Sequence, residues 1–255
     1  MTDDTTSTAR SRLRPRVALF VTCLVDLVRP EIGFSAIKLL QQSGCDVHVP
    51  EVQTCCGQPG YNSGDAAVTR PLARQLLAVF EGFDYVVLPS GSCAATIRGD
   101  YPELFKQDPD LRARFDALGA RTFELTDFLV NVMKVGHLVS GFAGRVTYHD
   151  SCSGLRHLGV KAQPRKLLAM VPGVQLSEMK DCEQCCGFGG TFAVKYGEIS
   201  GAIVEDKCRN VRASGAQFVV GGDLGCLLNI EGRLRRAGDE TTRVLHVAQV
   251  LAGDT

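Results

Sequence analysis

The chain has no tryptophan and only 5 tyrosines among its 255 residues. It has no excess of either charge, since 28 basic and 28 acidic side chains cancel to a formal net charge of zero. A surface built to grip nucleic-acid phosphates needs a basic bias, so no nucleic-acid partner is expected. Long apolar runs are missing as well. Val17–Val25 and Tyr85–Ile97 are among the longest charge-free stretches, and neither reaches the roughly 20 residues of a membrane helix. No Gly-x-x-x-x-Gly-Lys-Ser/Thr loop occurs, which excludes a nucleoside triphosphate site of that type. Gly187-Phe188-Gly189-Gly190 resembles a dinucleotide loop only weakly, because the Cys185-Cys186 pair before it accounts better for its glycines. No Ser/His/Asp set has a spacing that suggests a hydrolytic triad.

A secretory leader is not expected either. Residues 1–16 carry Asp3, Asp4, Arg10, Arg12, Arg14 and Arg16, and the apolar run that follows contains Cys23 and ends at Asp26 without a small-residue cleavage site. Residues 1–15 read as a disordered tail before the first strand, and the protein as cytoplasmic.

What the sequence does have is cysteine. Eleven are present, too sparse for a small disulfide scaffold and unusual for a reducing compartment unless they serve metal or catalysis. Their spacing repeats. Cys23 is followed after 31 residues by Cys55-Cys56-Gly57, and 36 residues separate Cys56 from Cys93. Cys152 is followed after 32 residues by Cys185-Cys186-Gly187, and 39 residues separate Cys186 from Cys226. Such a duplication predicts two similar halves. We place them at residues 16–140 and 141–255, divided where Ser140-Gly141-Phe142-Ala143-Gly144 breaks the pattern.

Each half alternates short β-branched runs with helix-like stretches. The runs are Val17–Val21, Asp46–Val49 and Tyr85–Leu88, then Arg145–His149, Val174–Met179 and Phe218–Val220. The helical stretches are Glu31–Gln42, Ala66–Phe80, Pro164–Val171 and Glu198–Arg212. A charged helical stretch also begins near Asp108. Thr122–Val130 reads as a strand entering a helix capped by Thr126 or Asp127, and Arg243–Leu251 shows a similar pattern. The fold class expected is α/β, two pseudo-repeated Rossmann-like halves with parallel sheets. Every cysteine motif then falls at the carboxyl end of a strand, where ligands collect in such sheets.

Adjacent cysteines constrain the chemistry. Their Cα atoms lie about 3.8 Å apart, below the usual span of a disulfide. One zinc ion would need an awkward small chelate ring to use both thiolates, since zinc ligands are usually spaced by two to four residues. Neighbouring thiolates can instead bind different irons of one iron–sulfur cluster, and four cysteines per half match its ligand count. A pair of zinc sites, a metal-free dithiol and plain core cysteines remain alternatives. Cys45 and Cys208, without counterparts in the other half, read as core residues; Cys182 reads as a core residue, a spare ligand or a resolving thiol. His149 and Asp150, just before Cys152, are candidates for proton transfer or cluster tuning, against the alternative of a strand-end cap. Arg156, His157 and Lys161 add positive charge after Cys152, on a helix face that is more simply solvated.

These motifs resemble the CCG cysteine-rich family, which includes iron–sulfur subunits of heterodisulfide reductases, glycolate oxidases and lactate-utilisation systems. The resemblance spans residues 16–255 and is nearest to the lactate-utilisation branch. It rests on the two Cys…Cys-Cys-Gly…Cys sets and on Gln53-Thr54-Cys55-Cys56-Gly57-Gln58-Pro59, Pro89-Ser90-Gly91-Ser92-Cys93, Tyr148-His149-Asp150-Ser151-Cys152 and Cys185-Cys186-Gly187-Phe188-Gly189-Gly190. It implies one or two [4Fe-4S] clusters held by Cys23, Cys55, Cys56 and Cys93 and by Cys152, Cys185, Cys186 and Cys226. It further implies an oxidoreductase subunit, not catalytic alone, that relays electrons as L-lactate is oxidised to pyruvate. Its partners would be a ferredoxin-like iron–sulfur subunit and a third small subunit. The Cys-x₂-Cys-x₂-Cys-x₃-Cys run of a fused ferredoxin domain is absent here. The chain departs from the family pattern where a terminal Cys-x-x-Cys would begin: Ser90 and Asp223 stand there. Four thiolates per site, where the enlarged noncubane clusters use five, favour electron relay over direct disulfide reduction. Ser90 or Asp223 is then an oxygen ligand or a hydrogen-bonding loop residue. A zinc-stabilised assembly subunit and a thiol–disulfide reductase remain the alternatives.

Overall fold

A computed structural model describes residues 14–255, so the tail expected over 1–15 lies almost wholly outside the described residues. Two four-stranded, wholly parallel sheets form the framework. The first has the order β2-β1-β3-β4, with β1 Arg16–Leu19, β2 Asp46–His48, β3 Tyr85–Leu88 and β4 Thr122–Glu124. The second repeats it as β6-β5-β7-β8, with β5 Ala143–His149, β6 Gly173–Leu176, β7 Phe218–Gly221 and β8 Arg243–His246. Helices cover both faces, which is why the strands are apolar on both sides. In the first sheet Val17, Leu19 and Val87 enter one core, while Ala18, Phe20, Val86 and Leu88 enter another.

The helices expected at Glu31–Gln42 and Ala66–Phe80 occupy those bounds. Asp65 starts the second by accepting a bond from the Val68 amide. Asp108 does the same for Pro109–Ala120. The helix after β4 is capped differently from the expectation. Its cap is Glu124, which accepts bonds from the Thr126 and Asp127 amides. Thr126 and Asp127 supply donors to the cap instead of capping the helix themselves.

The two halves interlock reciprocally. The helix after β4 (Leu125–Asp127, continuing as the π-helical turn Phe128–Val132) packs on Ala162–Leu168 of the second half, where Gln163 donates to Asp127 at 3.1 Å. The helix after β8, Val247–Ala252, packs on Glu31–Gln42 of the first half. There Lys38 donates to the Ala252 carbonyl and to Asp254, both at 2.7 Å. One apolar core therefore runs through both halves, holding Leu39 and Phe128 with Leu167 and Val250.

Closer to the cysteines, helix Gly91–Ala95 packs against Cys152–Leu158. A Cβ on Gly91 would lie 2.9 Å from the Gly154 Cα, a backbone atom that cannot give way alone. Gly91→Ala should therefore cost about 1–3 kcal/mol of unfolding free energy by urea titration. An alanine variant as stable as the parent would show that the halves are not pressed together there.

Candidate metal centre

All eight cysteines of the repeated motifs line a single cavity of about 380 Å³ between the halves. They arrive from six strand ends, after β1, β2, β3, β5, β6 and β7. Within the cavity they form two strings. In the first, Cys23 lies in hydrogen-bonding reach of Cys55, and Cys56 Sγ sits 3.3 Å from Cys93 Sγ. In the second, Cys152 meets Cys185 and Cys186 meets Cys226. All eleven thiols are free.

The glycine after each pair shapes the loop. Gly57 and Gly187 have φ of 76° and 83°, the left-handed region that favours glycine. A Cβ on Gly187 would also meet the Ser200 carbonyl at 2.8 Å. The turn aims each glycine amide back at the first sulfur of its pair, Gly57 N to Cys55 Sγ at 3.4 Å and Gly187 N to Cys185 Sγ at 3.3 Å.

Charge follows from this arrangement. Cys55 and Cys185 are held well below the ordinary thiol range, chiefly by bonds from Cys23 and Cys152, then from Cys56 and Cys186, with the glycine amides adding to the effect. Their partners are pushed up because each donates to a neighbouring sulfur and is removed from water. Four touching thiols cannot all ionise without positive charge among them. A cationic occupant supplies that charge, so the donor set fits a metal or metal cluster.

His149 strengthens the fit at the second string. Its ring is wholly buried, and neither nitrogen has a hydrogen-bond partner among the described residues. It caps no strand end. One of its nitrogens lies within 4.8 Å of the sulfurs of Cys186 and Cys226. Burial lowers its pKa to about 3, with repulsion from Lys207 adding to the effect, so the ring is neutral at neutral pH.

Asp150 is engaged elsewhere. Arg165 grips it with two bonds of 2.8 and 2.9 Å and also reaches Glu178 at 2.6 Å. Ser90 and Asp223, at matching positions of the two halves, meet each other. Ser90 Oγ donates to Asp223 at 2.7 Å, and the Ser92 hydroxyl and amide donate to the same carboxylate. Both line the cavity, and the clasp ties the loop after β7 to the loop after β3. Cys45 and Cys208 are buried in the shared core. Cys182 packs against that core beside Arg165, outside the cavity lining. Arg156 and His157 are exposed, and exposed Lys161 pairs with Glu183.

Three features were not anticipated from the sequence. The segment after the second Cys-Cys-Gly lines the cavity and reaches across to the first half, where Lys195 donates to Ser63 at 3.1 Å and Thr191 lies beside it. Lys207 is fully buried behind the second string. Glu124 is fully buried next to Gly222 and Tyr148, with Oε1 unpartnered among the described residues. Burial pushes its pKa up to about 7 against the opposing bonds from Thr126 and Asp127. Raised above its ordinary 4.5, it makes the folded state hold an extra proton. That contribution is present at low pH and is lost as pH rises from about 4.5 through about 7. Glu124→Gln should flatten the decline of thermal stability over that window. An unchanged slope in Glu124→Gln would place the titration elsewhere.

Comparison with known proteins agrees with the repeat. The family model described as a CCG cysteine-rich domain matches residues 17–98 and again 146–231. The chain belongs to the CCG cysteine-rich family. Each CCG match takes in one whole cysteine string. Lactate utilization protein A of Geobacillus kaustophilus is 48% identical over 236 residues, 92% of this chain and 98% of the relative. Lactate utilization protein A 2 of Bacillus cereus strain Q1 is 46% identical over 237 residues, 93% of this chain and 98% of the relative. Among solved structures, a hypothetical protein from Helicobacter pylori superposes with a TM-score of 0.63 at 14% identity. That match covers 94% of this chain and 49% of the other, and it speaks for the fold alone. No helix among the described residues is long and apolar enough to cross a membrane.

Proposed function

We propose that this CCG protein is a cytoplasmic iron–sulfur subunit of an L-lactate oxidation complex, relaying electrons as lactate becomes pyruvate. The observation that carries the reading is the gathering of all eight motif cysteines into two strings around one cavity. Similarity to the lactate utilization A proteins supports the substrate assignment. Cys23, Cys55, Cys56 and Cys93 would hold one [4Fe-4S] cluster, and Cys152, Cys185, Cys186 and Cys226 the other. Bound there, such a cluster supplies one-electron storage.

The chain's own part is positioning and shielding. The two glycine amides steady the first thiolate of each pair, and Asp223 clasps the halves so that both strings face one space. Ser90 and Asp223, spent on each other, serve as loop anchors. An open groove lined by Asp26, Leu27, Val49 and Glu51 reaches Cys23 and Cys55 from outside, giving an electron partner a short path to the first string. The partners proposed are a ferredoxin-like iron–sulfur subunit and a third small subunit. The chain would not oxidise lactate alone.

Purification under strict anaerobiosis tests this reading. A brown protein containing iron and acid-labile sulfide supports it. A colourless protein with stoichiometric zinc would instead support a structural assembly subunit. Disulfide turnover by the metal-free chain, lost in Cys55→Ser, would support a thiol reductase.

A further inference from the structure

The two cysteine strings are near copies, so the places where the copy fails are informative. The buried face of helix Gly197–Ala213 comprises Ser200, Val204, Lys207, Cys208 and Val211. That of Ala66–Phe80 comprises Thr69, Ala73, Leu76, Leu77 and Phe80, each 131 positions earlier. In this register Lys207 stands where the first half has Leu76. His149 precedes Cys152 by three residues as Phe20 precedes Cys23. Phe20 packs on Phe80 with ring centroids 5.3 Å apart, in an apolar cluster that also holds Leu76, Cys56 and Cys93. The first string is thus backed by hydrocarbon, and the second by an amine and an imidazole.

Lys207 lacks the partner that a buried cation normally has. Its ammonium donates to the carbonyls of Asp181 and Cys182 at 2.6 and 3.2 Å. No carboxylate lies within salt-bridge distance of it among the described residues. Asp181 adopts φ of 54° in the turn that presents these carbonyls. A charge removed from water needs an opposite charge nearby. Burial lowers the pKa of Lys207, and negative charge on Cys182, Cys186, Asp150 or Asp181 opposes that shift. Of these, Cys186 belongs to the second string, where ligand thiolates concentrate negative charge. One ring nitrogen of His149 lies within 4.8 Å of the sulfurs of Cys186 and Cys226, so the tautomer protonated there turns an N–H toward them.

We infer that the two sites are electrically unequal, and that Lys207 and His149 make the second the one that is reduced first and holds the electron. This rests on the iron–sulfur reading above. Positive charge and hydrogen bonds to sulfur favour the reduced, more negative state of a cluster. The step is a single-electron transfer: the first site is oxidised, the second is reduced, and no bond forms or breaks. The groove beside Cys23 and Cys55 then lies at the entry end, and the buried cation at the receiving end. Lys207 is a positioning residue in this account, since it acts through the field at the second string and touches no substrate.

The test is a redox titration of the full, anaerobically loaded chain followed by electron paramagnetic resonance. Wild type should show two midpoints. Cys186→Ser should abolish the higher one and keep the lower. Lys207→Met should shift the reduction equilibrium of the higher site toward oxidation by about tenfold or more and leave the lower site in place. His149→Phe, which restores the residue of the first half, should shift it the same way. One shared midpoint in wild type, or loss of the lower one in Cys186→Ser, would overturn the inference. So would an unmoved higher midpoint in both Lys207→Met and His149→Phe. Iron and sulfide analysis of the same samples separates the two levels. A chain that takes up neither removes the iron–sulfur reading and this inference together, whereas equal midpoints in a loaded chain remove the inference alone.

Discussion

Cys186→Ser should reduce the bound iron and acid-labile sulfide to about half, with the remainder held by the first string. The serine hydroxyl is a poor soft-metal ligand, and Cys186 is the inner member of its string, between Cys185 and Cys226. The first string draws its four sulfurs from β1, β2 and β3 and shares no cysteine with the second. Independent loading follows from that separation. Metal analysis of Cys186→Ser beside Cys56→Ser checks it. Equal iron in Cys186→Ser and wild type would strike Cys186 from the ligand set. Total loss in either single variant would mean that the strings assemble one shared group.

Arg165→Met should destabilise the fold by about 3–5 kcal/mol, because it strands a buried carboxylate. The Asp150 side chain is 0% exposed, and Arg165 supplies both of its charged hydrogen bonds. The same guanidinium lies 5.2 Å from the centre of the Tyr148 ring and holds Glu178. A melting temperature lower by on the order of 10 °C is the expected readout. Asp150→Asn in the Arg165→Met background should recover part of the loss, since the stranded charge is then gone. A loss below about 1 kcal/mol would mean that Asp150 finds another partner or water.

The sequence disclosed what depends on local pattern. Alternation of β-branched runs with helix-like stretches gave the parallel α/β class, and the helix expected over Ala66–Phe80 keeps those bounds. The cysteine repeat gave the two strings, because each motif sits just past a strand and parallel strands bring those ends together. Other features depend on the halves meeting. The merging of both strings into one cavity, the Ser90–Asp223 clasp and the reciprocal helix crossing are contacts between the two halves of the chain, which no local pattern encodes. Lys207 was hidden for another reason. Its neighbourhood Glu205-Asp206-Lys207-Cys208-Arg209 reads as a solvated helix face, and only the match to Leu76 in the other half marks it as interior. The cap of the helix after β4 was misplaced because Glu124 ends a strand, while the short polar side chains that usually cap come next. The second sheet's edge strand was expected to run to Met179, but it ends at Leu176.

The central claim is that eight cysteines hold two clusters across one cavity. Diffraction from anaerobically grown crystals at the iron absorption edge tests it most directly. The account predicts two separate anomalous peaks, one against Cys23, Cys55, Cys56 and Cys93 and one against Cys152, Cys185, Cys186 and Cys226. A single peak shared by both strings would contradict it, as would a signal at the zinc edge with none at the iron edge.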